Sequence, residues 1–339
     1  MIRIAVIGAG QWGPNLIRNF HSRDASEVVW VVDQSPARLE QARARFPDLR
    51  VAEDVAPVLA DAGVDAVVVA TPTSTHYALV RAALEHDKHV LVEKPITDDV
   101  VQAEELCALA AARGRVLMVG HVFLYNPAVT WVKHLIEAGD LGRIYYVSMV
   151  RTNLGPIRLD VDAGWDLASH DISIVNHWLA AAPERASATG GSWINPGVND
   201  AVFATLRYPG GVLVHLQVSW LNPRKVRQIT IVGERRMLTF DDMSLDEPLR
   251  LYDKQVTDER TPAPWTDTFA SFRASVREGD ITIPRVAMGE PLKIECGHFL
   301  DCIRGGQVPL SGGAEGLAVV RTLAAIQRSI VNAAREEAV

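Results

Sequence analysis

An apolar run, Ile2 to Ile7, leads without a break into Gly8-Ala9-Gly10-Gln11-Trp12-Gly13, and this junction constrains the chain more than any other feature. A Val/Ile-rich run followed by G-x-G-x-x-G reads as a strand, a tight turn and a helix start. The first glycine permits the turn, the second lets the backbone approach a ligand, and the third lets the helix pack closely on the strand. Backbone N–H groups at the helix start then form an anion site. More short apolar runs follow at Val28–Val32, Asp65–Ala70, His89–Val92 and Arg115–Val119, with helical stretches at Ser35–Arg45, Ser74–Glu85 and Asp98–Arg113. Strands alternating with helices predict an α/β, doubly wound parallel sheet covered on both faces.

Asp33 ends the second run, about 20 residues beyond the glycine turn, where a carboxylate can accept both hydroxyls of a ribose. Turn and carboxylate together indicate a bound dinucleotide. The charge of Asp33 would repel a 2′-phosphate, so NAD is favoured over NADP. Arg38, one helical turn further on, is placed where it could reach such a phosphate. The competing interpretation is a glycine-rich turn beside an ordinary surface aspartate.

Beyond Tyr125 the pattern changes. A helix is predicted at Pro127–Ala138, then strand-like runs at Ile144–Arg151, Ala186–Trp193, Ala201–Tyr208, Val212–Trp220, Val226–Val232 and Met237–Asp241. Several are joined by short turns such as Pro209-Gly210-Gly211, which predicts a mostly antiparallel sheet. A helix at Ser169–Ala180 interrupts it. Asp253–Pro284 carries little periodicity and reads as loop, and helices return at Pro291–Arg304 and Ala314–Ala334. The domain boundary falls near residues 120–125. With 339 residues the chain exceeds one small core, so two domains are expected.

Composition excludes several functions. A net charge of −7 leaves no basic face to neutralise phosphates, so neither nucleic acid nor an anionic lipid surface is an expected partner. No apolar run approaches the roughly 20 residues that cross a bilayer. The opening strand leaves no room for a removable leader. Cys107, Cys296 and Cys302 are too few and too scattered for a disulfide framework or a zinc site, which suits a reducing, cytoplasmic setting. No His/Asp/Glu cluster has metal-ligand spacing, so no metal is expected. No G-x-S-x-G or Cys/His nucleophile arrangement is evident.

Other candidate site residues fall at strand ends, where ligands bind in such sheets. Ala70-Thr71-Pro72-Thr73 closes one strand and His76 follows on the next turn, although Thr73 or Ser74 capping a helix explains them equally well. Glu93-Lys94-Pro95 closes the next. The ammonium of Lys94 could stabilise negative charge developing on a substrate oxygen, with a solvated surface lysine as the alternative. Asp166 and His170, four apart, share one face of a helical turn. His170 can accept or return a proton near neutral pH, and Asp166 can hold a substrate hydroxyl or orient the imidazole. A helix cap with a packed histidine is the competing interpretation.

These segments together resemble the Gfo/Idh/MocA oxidoreductase family. The resemblance runs through GAGQWG, ATPTSTH, EKP, Gly120-His121-Val122-Phe123, Asn126-Pro127, Gly139-Asp140-Leu141-Gly142, Trp165–Asp171, Glu295–Phe299 and Gly316-Leu317, nearly the whole chain. It implies a Rossmann domain over 1–122 and a substrate-binding and oligomerisation domain over 123–310 with a large open sheet. A C-terminal helix within 311–339 is expected to return to the first domain. It also implies homodimers or homotetramers through the sheet face. The family's catalytic lysine falls on Lys94 and its D-x-x-x-H pair on Asp166 and His170. The cofactor-binding set becomes Gly8, Gly10, Gln11, Trp12, Gly13, Asp33, Thr71, Pro72, Thr73, His76, Glu93 and Lys94. The substrate-binding set becomes Lys94, Tyr125, Asn153, Arg158, Trp165, Asp166 and His170. Ser311-Gly312-Gly313 departs from the Asp-Gly expected there, which bears on the cap of the last helix.

The branch resembled acts on sugar nucleotides and related amino sugars, oxidising a ring hydroxyl, often at C3. The sugar is expected between nicotinamide and the second sheet. Arg158 and Lys225 are candidates to pair with a phosphate or carboxylate, or are solvated strand-end charges. Two rival activities fit the same fold. One is an NAD-dependent glycosidase working through transient C3 oxidation. The other is a non-catalytic NAD-binding regulator, which has no need of Lys94, Asp166 and His170.

Overall fold

The computed structural model describes residues 1–158, 161–257 and 275–339. The chain divides into two compact units. One comprises Met1–Asn126, Arg158–Val175 and Gly289–Ala325, the other Pro127–Ile157, Asn176–Met288 and Ile326–Val339.

The first unit opens with β1 (Ile2–Ile7), α1 (Gly13–His21), β2 (Ser26–Val32), α2 (Pro36–Arg45), β3 (Arg50–Ala52) and α3 (Ala56–Ala60). It continues with β4 (Ala66–Val69), α4 (His76–Glu85), β5 (His89–Glu93), α5 (Val100–Arg113) and β6 (Leu117–Gly120). The six strands are all parallel in the order β3-β2-β1-β4-β5-β6. Helices on both faces bury the central strands completely, so β4 reads Ala-Val-Val-Val with no polar alternation. Ala5, Ile7, Val67, Val69, Val90 and Val92 form one face of the core under Val80, Leu84, Ala103 and Leu106. Each such aliphatic side chain contributes about 1.5–3 kcal/mol by leaving water. The order reverses between β1 and β4, which opens a crevice at the carboxyl ends of the strands.

The remaining elements follow in chain order as α6 (Pro127–Glu137), β7 (Ile144–Leu154), α7 (Ser169–Leu179), β8 (Arg185–Gly191), β9 (Ala201–Arg207) and β10 (Leu213–Ser219). Next come β11 (Leu221–Gly233), β12 (Met237–Asp241), β13 (Leu249–Thr257), β14 (Ser275–Thr282), α8 (Pro291–Gly305), α9 (Gly313–Val331) and β15 (Glu337–Ala338). In the second unit β14-β13-β12-β11-β7-β10-β9-β8-β15 form one sheet among the described residues. It is antiparallel throughout except that β7 and β10 run parallel. Alternation sends Val147, Met149, Val214, Leu216, Val218, Ile229 and Ile231 into the core.

The predicted loop at Asp253–Pro284 is corrected. Its ends belong to β13 and β14, which pair antiparallel, while 258–274 lies outside the described residues. Charged residues in Asp253-Lys254 and Arg277-Glu278 hide the strand pattern, as is usual where a sheet edge must resist further pairing. Two short strands, β3 and β15, were also not predicted; three and two residues are too few for a periodic signal.

Candidate active site

The glycine turn is built as its spacing requires. Gly8 adopts φ +99°, and a Cβ there would lie 2.5 Å from the Ala70 carbonyl oxygen. A Cβ on Gly13 would lie 2.1 Å from the Gly8 carbonyl oxygen, so α1 can approach β1 only through a glycine. Gly10 differs. A Cβ there would meet only the Arg38 guanidinium, at 3.7 Å, so the backbone is otherwise open. Asp33 is buried and accepts the Ala9 N–H at 2.8 Å on Oδ2 and the Ser35 N–H at 2.9 Å on Oδ1. Arg38 stands 3.5 Å from Asp33 Oδ2. The carboxylate thus ties the glycine turn to the end of β2. An open Gly10 backbone, the start of α1 and a carboxylate beyond β2 fit a dinucleotide's pyrophosphate and ribose.

At the ends of β4 and β5 the predicted residues fall together. His76 is 1 % exposed, and its two ring nitrogens lie 2.8 Å from the Pro95 carbonyl oxygen and 2.9 Å from that of Thr71. Burial lowers its pKa. His76 therefore ties the Thr71-Pro72 turn to the Lys94-Pro95 turn. Thr73 is buried, and Thr71 Oγ1 lies 2.7 Å from Thr75 Oγ1, which donates to the Pro72 carbonyl at 2.8 Å. Trp12 is 38 % exposed at the head of α1, beside Gln11.

Lys94 Nζ donates to the Asp166 carbonyl oxygen at 2.8 Å and to Asp166 Oδ1 at 3.1 Å. Arg158 shares the same Oδ1 at 3.1 Å. Asp166 sits in a π-helical turn, Gly164–Ala168, that runs into α7. Such turns recur at functional sites because the extra residue re-aims side chains. The spacing of four to His170 therefore spans a π turn, not the regular α-helical turn predicted. The His170 ring packs edge-on to Phe123, centroids 4.9 Å apart. Trp165 is half-buried, and its N–H bonds Asp162 Oδ1 at 2.9 Å.

The remaining expected residues have the following neighbours. Tyr125, expected against substrate, is 4 % exposed with its hydroxyl 3.0 Å from Ser311 Oγ, engaged inside the first unit. Arg158, expected to meet an anionic ligand, meets Asp166; its neighbours Leu159 and Asp160 lie outside the described residues. Asn153 lies on β7 in the second unit and donates to the Gly155 carbonyl. Lys225 lies on β11, in the same unit. Ser311, which departed from the expected pattern, takes the Tyr125 hydroxyl, and its carbonyl accepts the Val119 N–H at 2.7 Å.

Two buried ionisable residues of the first unit were not singled out as site candidates. His121 follows β6 and is 1 % exposed, with its pKa lowered to about 3 by burial and by the Lys94 charge. Glu295 on α8 is fully buried, and burial with the nearby Glu93 charge raises its pKa well above the usual range. A signal for Glu295 was present. It occupies the apolar stripe Leu292, Cys296, Phe299, Leu300 of α8, where a carboxylate is out of place.

A doubly wound sheet with an open Gly10, a buried Asp33 at the end of β2 and a lysine at the carboxyl edge fits an NAD-dependent oxidoreductase. Comparison with known proteins gives the family. Residues 2–121 match the profile of the oxidoreductase family with NAD-binding Rossmann fold, and residues 129–239 match the GFO/IDH/MocA C-terminal domain. The chain belongs to the Gfo/Idh/MocA family, as its motifs suggested, and is a dehydrogenase acting on CH–OH groups. It is 26 % identical over 322 residues to scyllo-inositol 2-dehydrogenase (NAD(+)) of Bacillus subtilis (strain 168), covering 91 % of this chain and 88 % of the relative. It is 29 % identical over 254 residues to UDP-N-acetylglucosamine 3-dehydrogenase of Acidithiobacillus ferrooxidans, covering 74 % and 77 %. A crystal structure of that enzyme superposes with a TM-score of 0.82, at 26 % identity over 97 % of each chain. No helix among the described residues is long and apolar enough to cross a membrane.

Proposed function

We propose that the protein transfers hydride between NAD and a ring CH–OH, at C3, of a sugar nucleotide or amino sugar. The observation that carries this reading is the Lys94–Asp166–Arg158 cluster at the end of β5. Bound at the glycine turn and Asp33, NAD supplies the hydride acceptor. Lys94 donates a hydrogen bond to the substrate oxygen and stabilises its negative charge, held in place by Asp166. His170 takes the hydroxyl proton as the C–H electron pair leaves, so one CH–OH becomes C=O and one proton is released. Holding the reacting carbons about 3–3.5 Å apart supplies much of the remaining acceleration.

A cyclic polyol substrate is a second reading, supported by the likeness to the inositol enzyme over most of both chains. Arg158 separates the two. Its side chain is 31 % exposed beside Asp166, and a cation in the cluster suits the anionic group that a sugar nucleotide carries and a free inositol lacks. The free cysteines suit a reducing, cytoplasmic location. The outer sheet face, with Tyr146, Phe203 and Leu213 about two-fifths exposed, is a candidate homo-oligomer surface.

The test is NADH absorbance on mixing protein and NAD with UDP-sugars, hexose phosphates, free amino sugars and inositols. A rise with UDP-sugars alone supports the first reading, and a rise with inositols alone replaces it with the second. Release of free sugar without net NADH would make the protein a glycosidase.

A further inference from the structure

His76 brings two turns within reach of one ring. It opens α4 at 1 % exposure, with Nδ1 2.8 Å from the Pro95 carbonyl oxygen and Nε2 2.9 Å from the Thr71 carbonyl oxygen. Both oxygens can only accept. A neutral imidazole carries one N–H, so it can serve one of them at a time. Burial is the largest influence on the His76 pKa and lowers it, against the two carbonyls and Asp98, which raise it; Arg158 lowers it further. At and above neutral pH the ring therefore carries a single proton, and the tautomer decides which turn is held.

The two oxygens differ in what else can reach them. Pro95 is buried and is followed by Ile96 at 0 % exposure, and among the described residues no second donor bonds its carbonyl. Thr71 is half-buried beside an exposed Pro72, at the carboxyl edge of the sheet, where solvent and ligands have access. An enclosed acceptor without a donor carries its full desolvation penalty, whereas one open to water does not. The proton is therefore better placed on Nδ1, facing Pro95. Pro95 directly follows Lys94, whose ammonium bonds the Asp166 carbonyl at 2.8 Å and its carboxylate at 3.1 Å. The Lys94 N–H lies 3.3 Å from Oε2 of its own neighbour, Glu93, so the bond to His76 is what ties the backbone of this turn to α4.

We propose that His76 is a positioning residue for Lys94: as the Nδ1–H tautomer it donates to the Pro95 carbonyl and fixes the backbone from which the Lys94 ammonium is aimed at Asp166. The cost falls on the Thr71 side, where the Nε2 lone pair faces a carbonyl that water or a bound molecule can serve instead. His76 itself touches no substrate in this arrangement; it acts through the turn. The inference rests on the role proposed above for Lys94 at the substrate oxygen.

Asparagine and glutamine separate the two bonds. An Asn amide stands where Nδ1 does and a Gln amide reaches where Nε2 does, so H76N can donate to Pro95 and H76Q to Thr71. Whole chains are used, without cofactor or sugar. Acetic anhydride labelling read by peptide mass spectrometry reports how firmly Lys94 is held, with the exposed Lys293 as reference. H76N should label Lys94 as slowly as wild type, while H76Q, though nearer to histidine in size, should label it several-fold faster. Nitrogen NMR of histidine-labelled protein should show His76 protonated on Nδ1, the signal being assigned by its loss in H76N. Equal labelling of Lys94 in the two variants, or a His76 protonated on Nε2, overturns the proposal and leaves His76 a packing residue. With a sugar that is turned over, kcat should fall about 10²-fold in H76Q, the cost of misplacing a group by about 1 Å, and much less in H76N. Failure of every sugar to react would sink the dehydrogenase reading and leave the labelling and NMR results to decide the role of His76.

Discussion

Lys94 is held at both ends of one residue. Its ammonium donates to the backbone carbonyl of Asp166 at 2.8 Å and to the carboxylate of that residue at 3.1 Å, across 72 positions of sequence. The side chains are 13 % and 17 % exposed, so solvent screens the pair weakly and its geometry is well defined. The ammonium is thereby aimed from the end of β5. Lys94→Ala should lower kcat by about 10²–10³, the usual cost of losing one donor to a developing oxyanion. NAD affinity, measured by calorimetry, should change little. Asp166→Ala should lower kcat too, because it leaves the Lys94 and Arg158 charges without the carboxylate between them. Asp166→Asn, which retains an oxygen acceptor, should be milder. Equal kcat in Lys94→Ala and wild type would remove Lys94 from the chemistry.

His170 has a different role and a different signature. If it takes the hydroxyl proton, His170→Ala should cost about 10²–10⁴ in kcat. The double variant with Lys94→Ala should cost less than the product of the single losses, since the two groups act in one step. A product of independent effects in pre-steady-state hydride transfer would argue that His170 only packs against Phe123.

The parallel sheet was legible because its strands are buried on both faces and so read as continuous Val/Ile runs, and the glycine turn because sterics at Gly8 and Gly13 admit no other residue. The meeting of Lys94 with Asp166 was not. Their motifs could be matched to a family, but spacing says nothing about residues so far apart, and the π turn that aims Asp166 has no periodic signature. The ion pair of Arg158 with Asp166 has no sequence signal either, since a cation near a strand end does not show its partner. Nor does the Tyr125 hydroxyl beside Ser311 Oγ, which joins segments 186 positions apart. The pairing of β13 with β14 was lost where charged residues such as Asp253 and Lys254 interrupt the alternation that Leu249 and Leu251 begin.

Glu93 should make stability depend on pH in a direction opposite to most carboxylates. Enclosure raises its pKa from the ordinary 4.5 to about 7. Between those values the folded state keeps a proton that the unfolded chain has lost, so stability from this group falls as pH rises from about 4.5 to 7 and is level above. Glu93→Gln should be stabilised relative to wild type by an amount that grows over this window. The gain should reach on the order of 2–3 kcal/mol at neutral pH. Urea denaturation at several pH values measures it; a difference independent of pH would show that Glu93 is ordinary in the folded protein.

Gly13 offers a test of the turn that needs no assay of turnover. Its Cβ would lie 2.1 Å from the Gly8 carbonyl oxygen, and the contact is backbone, which cannot rotate away. Gly13→Ala must push α1 off β1, at about 2–3 kcal/mol. Thermal unfolding should show the loss. Added NAD, which stabilises wild type through binding, should raise the unfolding temperature of the variant much less.

Asp33 is expected to set the choice between the two nicotinamide cofactors, with its neighbour Arg38 governing the outcome of replacing it. Its carboxylate accepts the Ala9 and Ser35 N–H groups while standing 3.5 Å from the Arg38 guanidinium. With Asp33 present a 2′-phosphate is expected to meet a buried carboxylate and to bind poorly. Asp33→Ser removes that charge, keeps a short hydroxyl acceptor for the turn, and releases Arg38 from its ion pair. The guanidinium, 54 % exposed, is then available to a phosphate in charge-assisted hydrogen bonds. The variant should bind NAD more weakly, by roughly tenfold for the lost hydrogen bonds to ribose, and should bind NADP where wild type does not. Asp33→Ser/Arg38→Ala should bind neither well. Protein fluorescence quenching by the two cofactors across the three proteins separates these effects. NADP binding that persists in the double variant would place the 2′-phosphate against some other cation.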